Sequence, residues 1–377
     1  YATEPVESGD LSVQSNQFYL DDRGMDRKET GSYYTKPDLV AELIDSTLKP
    51  VVEEQIDGRQ SRSQKEAALL DIDVCDPACG SGAFLIAANN FLAKRLAKIR
   101  GDTAYPSQAQ LRQARRSVVQ HCIYGVDLNP MAVELAKVSL WINSAVDDEP
   151  LSFLDHRIRH GNSLIGVTKA DLTNGIPYEA YEKTEGREGH PGTDVRRDLR
   201  KINKEFDSGG VQTDIDWEWA DSPKFVSKAQ ELADTTEQSV QDVQHKQKLL
   251  TELQSSSDYQ IEHLARDIWT AAFFWDLLEH PGTYPTTKTI QEIRRSSDPV
   301  AFTDKREELQ EIASVTKSIA ERESFFHWDI EFPLVWHGED PGFDAILGNP
   351  PWEEVREDAT EFFAVSHPPI ANASRRD

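Results

Sequence analysis

Short apolar runs alternate with stretches of helical apolar spacing through the first 166 residues of the chain. The short runs predict buried strands at 72–74, 122–126 and 157–160. Apolar residues that recur every three to four positions predict helices at 38–48, 83–99, 107–119 and 131–146. Strands that alternate with helices pair in parallel, so this region is predicted to be an α/β domain with helices on both faces of its sheet.

The pattern changes at residue 167, where the chain becomes more polar and mainly helical. Helical spacing recurs at 195–206, 223–255 and 259–279, and strand character returns at 343–347. We therefore predict that residues 167–342 form a helical insertion that packs as a separate layer beside the sheet. We expect four of its aromatic residues to be largely buried there: Trp269, Phe273, Phe274 and Trp275.

The charge of the chain restricts how it can meet a polyanion. With 66 acidic and 41 basic residues in 377, the formal net charge is −25, so a nucleic-acid enzyme of this composition needs a local basic cleft. An acidic protein that never meets DNA is the alternative. The acidic residues are spread along the whole chain, as in proteins of salt-loving microbes, where salt screens the repulsion.

Length and hydropathy set further limits. The length indicates two structural units, and the chain begins without Met, so a longer polypeptide is expected. The mean hydropathy is −0.59 and no apolar run is long enough to cross a bilayer, which predicts a cytoplasmic protein with no membrane partner. Cys75, Cys79 and Cys122 lack the spacing of a metal site, so we expect buried thiols and no metal.

Polar groups follow three successive predicted strands. Gly80 and Gly82 stand between the first strand and its helix, where backbone without side chains can approach a ligand closely. Asp127 ends the second strand, where a carboxylate can accept both hydroxyls of a ribose, and Asn162 follows the third. Together they indicate a nucleotide-like ligand. Taken singly, they are also compatible with a tight turn, a helix cap and a turn Asn.

A stiff loop, Asn349-Pro350-Pro351-Trp352, follows the strand predicted at 343–347. The two prolines remove two N–H donors and leave carbonyl acceptors. An amine would therefore find two acceptors, the Asn349 side-chain oxygen and the Pro350 carbonyl. Trp352 offers a flat face on which a base that has left its duplex can stack. An exposed Pro-Pro turn beside a core Trp is the alternative.

These motifs resemble those of adenine-N6 DNA methyltransferases, in the gamma-class order. Residues 31–37 resemble the N-terminal cofactor motif, 76–82 motif I, Asp127 the motif II acid, Asn162 motif III and 349–352 motif IV. The segment 326–333, with the helical insertion, is similar to the large methylases of type IIG restriction–modification enzymes and of the BREX phage-defence system. The strands and target-recognition domain that follow motif IV in such enzymes are not visible in this sequence.

The resemblance implies a doubly wound, Rossmann-like methyltransferase sheet with a large, mainly helical insertion. The implied segments are an irregular start at 1–30, a cofactor-binding half at 31–166, the insertion at 167–342, and a catalytic strand and loop at 343–377. The implied cofactor is S-adenosylmethionine, bound by Tyr34, Thr35, Asp76, Ala78, Gly80, Gly82, Asp127, Leu128 and Asn162. The implied catalytic residues are Asn349, Pro350, Pro351 and Trp352.

The resemblance also implies the partners: double-stranded DNA with a flipped target adenine and other subunits of a restriction–modification or phage-defence system. Two other functions remain open. Methyltransferases of RNA or of protein glutamine use similar Asn-Pro-Pro-aromatic loops, although they lack the long insertion and commonly have Tyr as the aromatic residue. A catalytically silent methyltransferase-like binding module is the other possibility, and the intact acidic and Asn residues argue against it.

Overall fold

A computed structural model of the chain describes residues 37–181, 197–198, 201, 223–277, 279–280, 282–295, 307–336 and 341–349. Five of the predicted site residues lie outside them: Tyr34, Thr35, Pro350, Pro351 and Trp352. The predicted irregular segment 1–30 and most of the predicted catalytic segment also lie outside the described residues, so the domain boundaries stay predictions.

Helices and strands alternate through the first part of the chain. The helices are α1 (Pro37–Ile56), α2 (Arg62–Leu70), α3 (Ala83–Gly101), α4 (Gln108–His121) and α5 (Pro130–Ser144). The strands are β1 (Val74–Asp76), β2 (Ile123–Asp127) and β3 (Ile158–His160). Each predicted element exists with its predicted type. The first strand begins two residues later than predicted, and the first helix extends to Ile56 although Pro50 lies inside it.

Local caps explain where the helices begin. The Ser107 side chain accepts a hydrogen bond from the Gln110 N–H, and the Gln110 side-chain oxygen accepts one from the Ser107 N–H. This reciprocal capping box satisfies two N–H groups that a helix start leaves without partners. Asn129 caps α5 by accepting from the Met131 N–H, and Pro130 occupies the first helical position, where its missing N–H costs nothing.

The four described strands form one parallel sheet in the order β3-β2-β1-β4, where β4 is Ala345–Ile346. Val74 pairs with Ile123 on one side and with Ala345 on the other. The strand order therefore reverses beside β1, and in parallel sheets the loops on either side of such a reversal open a crevice at the carboxyl ends. The mixed α/β class and the parallel pairing are confirmed, while the doubly wound arrangement remains a prediction.

An apolar core lies between this sheet and its helices. Its buried members come from α1 to α5 and from all four strands, among them Leu48, Leu69, Leu85, Leu96, Val119, Ile123, Leu140, Ile158 and Leu347. Every residue of β2 is buried, as expected for a central parallel strand whose two faces are both covered. This core holds the strand ends, and therefore the loops that follow them, in fixed positions.

The residues of the insertion that the structure describes are mainly helical, as predicted. They include α6 (Lys169–Thr173), α7 (Pro223–Asp234), α8 (Val240–Gln254), α9 (Ser257–Ala271), α10 (Thr287–Arg294) and α11 (Glu307–Glu323). Two short helices follow, α12 (Trp328–Glu331) and α13 (Pro333–Trp336). Helices α9, α10 and α11 surround a second apolar cluster, which includes Ile268, Ala271, Ile293, Ile312 and Ile319.

The prediction for the four aromatic residues of the insertion was wrong for one of them. Trp275 is buried, and Trp269 and Phe274 are half-buried against the second cluster. Phe273 is 45% exposed. The α-helix gives way to a 3₁₀ turn at Ala272–Phe274, and the tighter turn moves successive side chains onto different faces than an α-helix would. Phe273 consequently rests with one side on Trp269 and leaves the other in solvent.

The end of the insertion packs directly on the sheet. Phe326, Phe332 and Val335 form a buried cluster with Cys75, Tyr124 and Val126 of β1 and β2. The rings of Tyr124 and Phe332 meet edge to face at 5.2 Å, a favoured aromatic arrangement. Residues 326–335 therefore cover one face of the sheet, which the prediction of a layer beside the sheet did not anticipate.

The three cysteines are buried free thiols, as predicted. Burial raises the pKa of the Cys75, Cys79 and Cys122 thiols, which keeps them protonated and poorly reactive. Within the described part of the chain, no helix combines the length and the apolar character that crossing a bilayer requires.

Candidate functional site at the carboxyl edge of the sheet

The loop after β1 is a tight backbone turn that depends on its glycines. Gly80 and Gly82 have φ values of +54° and +86°, a left-handed conformation that glycine adopts at little cost. A Cβ on Gly82 would also lie 3.3 Å from Ala136 of α5. At Gly80, by contrast, a Cβ would meet nothing within 4 Å, so the backbone there borders open space. The turn brings main chain, without side chains, to the mouth of the crevice.

Asp127 joins the loops that follow β1 and β2. Its Oδ2 accepts a hydrogen bond from the Gly80 N–H at 2.7 Å, and its Oδ1 accepts one from the Asn129 N–H at 2.8 Å. Its main-chain oxygen accepts from the Gly161 N–H at 3.0 Å, which ties the end of β3 to the same point. Three strand-end loops are thus linked through one buried residue, Asp127. The next residue, Leu128, is 53% exposed.

Asn162 stands at the end of β3 in a turn of its own. Its Oδ1 accepts from the Leu164 N–H at 3.1 Å, and its main-chain N–H donates to the Ser324 carbonyl at 2.6 Å. His160 Nε2 hydrogen-bonds the Leu128 carbonyl at 3.0 Å, so the loops after β2 and β3 are also joined. Leu164 extends its side chain into solvent with 91% exposure.

The strand β4 delivers Asn349 next to β1. The Leu347 N–H donates to the Cys75 carbonyl at 2.8 Å, in register with the end of β1. A Cβ on Gly348 would lie 3.9 Å from Asp76 Oδ1. Since Asn349 is the next residue, it starts its loop at the switch point between β1 and β4, beside the glycine turn.

Asp76 is a buried carboxylate at the centre of this edge. It is 1% exposed, and its Oδ1 accepts from the Ala78 N–H at 3.1 Å. Burial outweighs this hydrogen bond and, with the nearby charge of Asp127, raises the pKa of Asp76 to about 7. The folded protein therefore favours the protonated form of Asp76 more than the unfolded chain does.

The structure brings eight of the predicted site residues to one edge of the sheet: Asp76, Ala78, Gly80, Gly82, Asp127, Leu128, Asn162 and Asn349. The sequence reasoning did not single out Leu164, although an apolar side chain in a loop after a motif Asn was a visible signal. It also did not single out Ser324, which binds the Asn162 N–H, or His327, which binds the Val167 N–H, although it noted the motif at 326–333 that contains His327.

One acid–histidine cluster lies near this edge in the insertion. Asp267 accepts from His263 Nδ1 at 2.9 Å and from His327 Nε2 at 3.0 Å, and the three residues are close enough to surround an ion. However, the Val167 N–H donates to His327 Nδ1 at 3.2 Å, so that nitrogen carries no proton and Nε2 must carry one. In a metal-bound histidine, the ring nitrogen that does not bind the metal usually donates its N–H to an acceptor. In His327 that nitrogen, Nδ1, accepts a hydrogen bond instead. The cluster is therefore a hydrogen-bonded triad.

Comparison with known proteins assigns the chain to a class and then to a family. A model of the MmeI DNA-methyltransferase domain matches residues 52–157, and a model of the Eco57I restriction-modification methylase family matches residues 121–369, more than half of the chain. The class is therefore that of the restriction–modification methylases. The chain belongs to the Eco57I restriction-modification methylase family, which confirms the resemblance recognised in its motifs.

A protein of Methanocaldococcus jannaschii is also similar. It is named "Putative type II restriction enzyme and methyltransferase", and it is 28% identical over 185 residues. The match covers 39% of this chain and 15% of that protein. The chain thus matches only a small part of the length of this relative.

Proposed function

We propose that this chain carries the cofactor site and the catalytic loop of a DNA methyltransferase that transfers a methyl group from S-adenosylmethionine to the N6 amine of adenine. The observation that carries the proposal is the convergence of the glycine turn, Asp127, Asn162 and Asn349 at one switch point of a parallel sheet. Ligands of open parallel sheets bind in the crevice at such a point.

The residues at this edge fit S-adenosylmethionine chemically. Open space at Gly80 leaves room for a ligand against bare main chain. Asp127 offers a carboxylate to ribose hydroxyls, and the exposed apolar side chains of Leu128 and Leu164 suit the faces of a purine ring. The buried Asp76 carboxylate suits the positive charge of the cofactor. Tyr34, Thr35 and Ala78 complete the proposed cofactor-binding set.

The cofactor would supply an activated methyl group on its sulfonium, and the protein has to position the amine. The lone pair of the adenine amine is delocalised into the ring, which makes the amine a poor nucleophile. Acceptors at the Asn349 side chain and the Pro350 carbonyl would hold its two hydrogens and stabilise the positive charge that develops on nitrogen. Pro350 and Pro351 stiffen the loop, and Trp352 would stack the flipped base.

The proposed partner is double-stranded DNA within a restriction–modification or phage-defence system. Membership of a restriction-modification methylase family supports DNA as the substrate. The name of the M. jannaschii protein couples a restriction enzyme with a methyltransferase, which supports other subunits or domains of such a system as further partners. The strongly acidic composition fits this proposal only if the DNA meets a local basic surface.

The direct test measures radiolabelled methyl transfer from S-adenosylmethionine to double-stranded DNA, RNA and protein side by side. We expect transfer to DNA, with the label on adenine N6 after digestion. Asn349→Ala should lower turnover by roughly 100-fold or more because it removes an acceptor needed mainly in the transition state, while cofactor affinity stays nearly unchanged. Asn174→Ala, an exposed residue that ends α6, is the matched control and should keep the parental rate.

The result of this test also separates the alternatives. Label in RNA or protein instead of DNA would favour the other methyltransferase classes. Cofactor binding without transfer to any of the three would favour a silent binding module. If Asn349→Ala methylated DNA at the parental rate, the assignment of the loop to adenine methylation would be wrong.

A second test addresses base flipping. Trp352→Ala should weaken capture of the extruded adenine by about 1–3 kcal/mol through lost stacking. A mismatched or abasic partner opposite the target adenine makes extrusion easier, so it should partly rescue Trp352→Ala and leave Asn349→Ala unimproved. Equal rescue of both variants would show that the two residues do not have separate roles.

A further inference from the structure

The loop that carries Asn162 is held along its length by a second segment of the chain. We call residues 161–169 the Asn162 loop and residues 324–329 the clamp segment. Five hydrogen bonds join them: Asn162 N–H to Ser324 O at 2.6 Å, Trp328 Nε1–H to Ser163 O at 3.1 Å, Phe326 N–H to Ile165 O at 2.8 Å, Val167 N–H to His327 Nδ1 at 3.2 Å, and Lys169 N–H to Asp329 Oδ2 at 3.0 Å. The clamp therefore defines the main-chain path of the loop.

The two segments also touch without intervening side chains. A Cβ added to Gly166 would lie 2.7 Å from the Phe326 carbonyl carbon and closer still to its oxygen, so only glycine permits this approach. A Cβ on Gly161 would meet the Phe326 ring. The main chain of the loop is consequently pressed against the clamp on both sides of Asn162.

His327 lies at the centre of the clamp in a single tautomer. It is fully buried, accepts from the Val167 N–H at Nδ1 and donates from Nε2 to Asp267 Oδ1 at 3.0 Å. Asp267 belongs to α9, and its second oxygen accepts from His263 on the same helix. Asp329, two residues further along the clamp, is held by Arg266 of α9 through two hydrogen bonds. The clamp is thus anchored to a helix of the insertion.

From this geometry we infer that His327 is a positioning residue of the cofactor site: through the Val167 N–H it transmits the placement of helix α9 to the Asn162 loop and so sets the orientation of Asn162 towards the cofactor. The inference rests on the proposed function, because it takes Asn162 to bind the adenine part of S-adenosylmethionine. The helical insertion would then contribute to cofactor affinity, in addition to the residues at the four strand ends.

Two isosteric variants separate the two hydrogen bonds of His327. In His327→Gln the amide nitrogen can replace Nε2 and keep the bond to Asp267, but the acceptor for the Val167 N–H is lost. In His327→Asn the amide oxygen can replace Nδ1 and keep that acceptor. We expect calorimetry with S-adenosylmethionine to show affinity weakened roughly 3- to 10-fold for His327→Gln, the range for one lost hydrogen bond. His327→Asn keeps the acceptor for Val167 but loses the link to Asp267 of α9, so we expect a smaller loss for it.

A double-mutant cycle then tests whether His327 acts through Asn162. In the Asn162→Ala background, His327→Gln should change affinity by less than about 2-fold, since the residue it positions is gone. A merely structural loss would weaken binding equally in both backgrounds. Tyr181→Phe is the matched control, because it removes one buried hydrogen bond, to the Pro285 carbonyl, in the same insertion and away from the loop. It should leave affinity unchanged.

Trp328→Phe keeps the inference testable if His327→Gln fails to fold. It retains an aromatic ring in the clamp while removing the hydrogen bond to the Ser163 carbonyl and part of the ring packing, so a weaker loss of affinity that also vanishes with Asn162→Ala is expected. Parental affinity in both His327→Gln and Trp328→Phe, or equal losses in both backgrounds, would overturn the inference alone. Failure of the unmodified protein to bind S-adenosylmethionine would overturn the proposed function with it.

Discussion

The sheet region and the helical insertion are stabilised in different ways. The main core under the sheet is made of apolar side chains, and the buried charges of this region lie around it, at the strand ends and on helices α4 and α5. In the insertion, charged side chains lie inside: Arg266 is fully buried between Glu262 and Asp329, and Lys246 is buried against Glu237. Apolar burial needs no specific partner, whereas a buried charge must find one.

The pKa values of buried acids show the same contrast. In the sheet region burial outweighs the nearby Arg157 and raises the pKa of Asp73 to about 7, the value that Asp76 also reaches. In the insertion burial acts in the same direction on Asp267, but hydrogen bonds from the two histidines outweigh it and lower its pKa to about 2. Burial likewise opposes ionisation of Glu331, and the adjacent Arg159 still lowers its pKa. Asp267 and Glu331 of the insertion therefore stay ionised despite their burial.

The largest effect is expected where the insertion depends on a buried charge. Arg266→Leu would leave the buried Asp329 without its cation and Glu262 with Arg294 alone. An uncompensated buried charge typically costs about 3–5 kcal/mol. Chemical denaturation of the parental protein and the variant measures the loss as a change in the free energy of unfolding. Lys317→Ala is the control, because its pair with Glu321 on α11 is exposed and should contribute less than about 1 kcal/mol. Equal effects of the two variants would contradict the role of buried charge.

The next effect is expected at the sheet edge and concerns ligand affinity. Asp127→Ala should weaken S-adenosylmethionine binding by about 1.5–3 kcal/mol, the range for a lost hydrogen bond to a charged group. Glu134→Ala is a suitable control, because this exposed acid lies on α5, the helix that follows Asp127. Calorimetry that found unchanged affinity for Asp127→Ala would remove Asp127 from the cofactor site.

The same contrast explains what the sequence could predict. The strands and helices of the sheet region were predicted with their correct types because apolar spacing is a local signal that burial in a parallel sheet enforces. The glycines, Asp127 and Asn162 were recognisable as candidates because strand ends share one edge in any parallel sheet. That Asp127 hydrogen-bonds Gly80, 47 residues earlier, could not be read from spacing alone.

The ion pairs and hydrogen bonds of the insertion could not be predicted, because the residues that form them are far apart in the chain. Arg266 and Asp329 are separated by 63 residues, and Arg159 and Glu331 by 172. Neither pair has a periodicity that marks it. His327 illustrates the difficulty: the motif around it was noted for its resemblance to other methylases, yet its link to Val167, 160 residues away, appears only when the chain is folded.

A further effect should appear in the pH dependence of stability without cofactor. The unfolded chain releases the protons of Asp73 and Asp76 near pH 3.8, whereas the folded protein keeps them until about pH 7. Their contribution is therefore full below about pH 3.8 and is lost as pH rises to 7, with a slope of at most about 1.4 kcal/mol per pH unit for each carboxyl. Asp267 acts oppositely, since its contribution is present above pH 3.8 and is lost as pH falls towards 2.

Urea denaturation of the protein between pH 4 and 8 measures this slope. We expect the free energy of unfolding to fall more steeply with pH in the parental protein than in the Asp73→Asn, Asp76→Asn double variant, which cannot titrate at these positions. Asp155→Asn, a partly exposed acid paired with Lys137, should leave the slope unchanged. Identical slopes in the parental protein and the double variant would show that the two buried acids do not titrate near neutral pH.

The smallest effect is expected at Phe273, where the sequence prediction of burial was wrong. Phe273→Ala should change the free energy of unfolding by only about 0.5 kcal/mol, as exposed substitutions usually do, because nearly half of the side chain is already in water. Trp275→Ala, two residues away, should cost about 3–5 kcal/mol, because it empties a buried site and removes a hydrogen bond to the Thr283 carbonyl. Urea denaturation of both variants compares an exposed and a buried aromatic side chain two residues apart. A large loss for Phe273→Ala would mean that its exposed face is covered in the folded protein in solution.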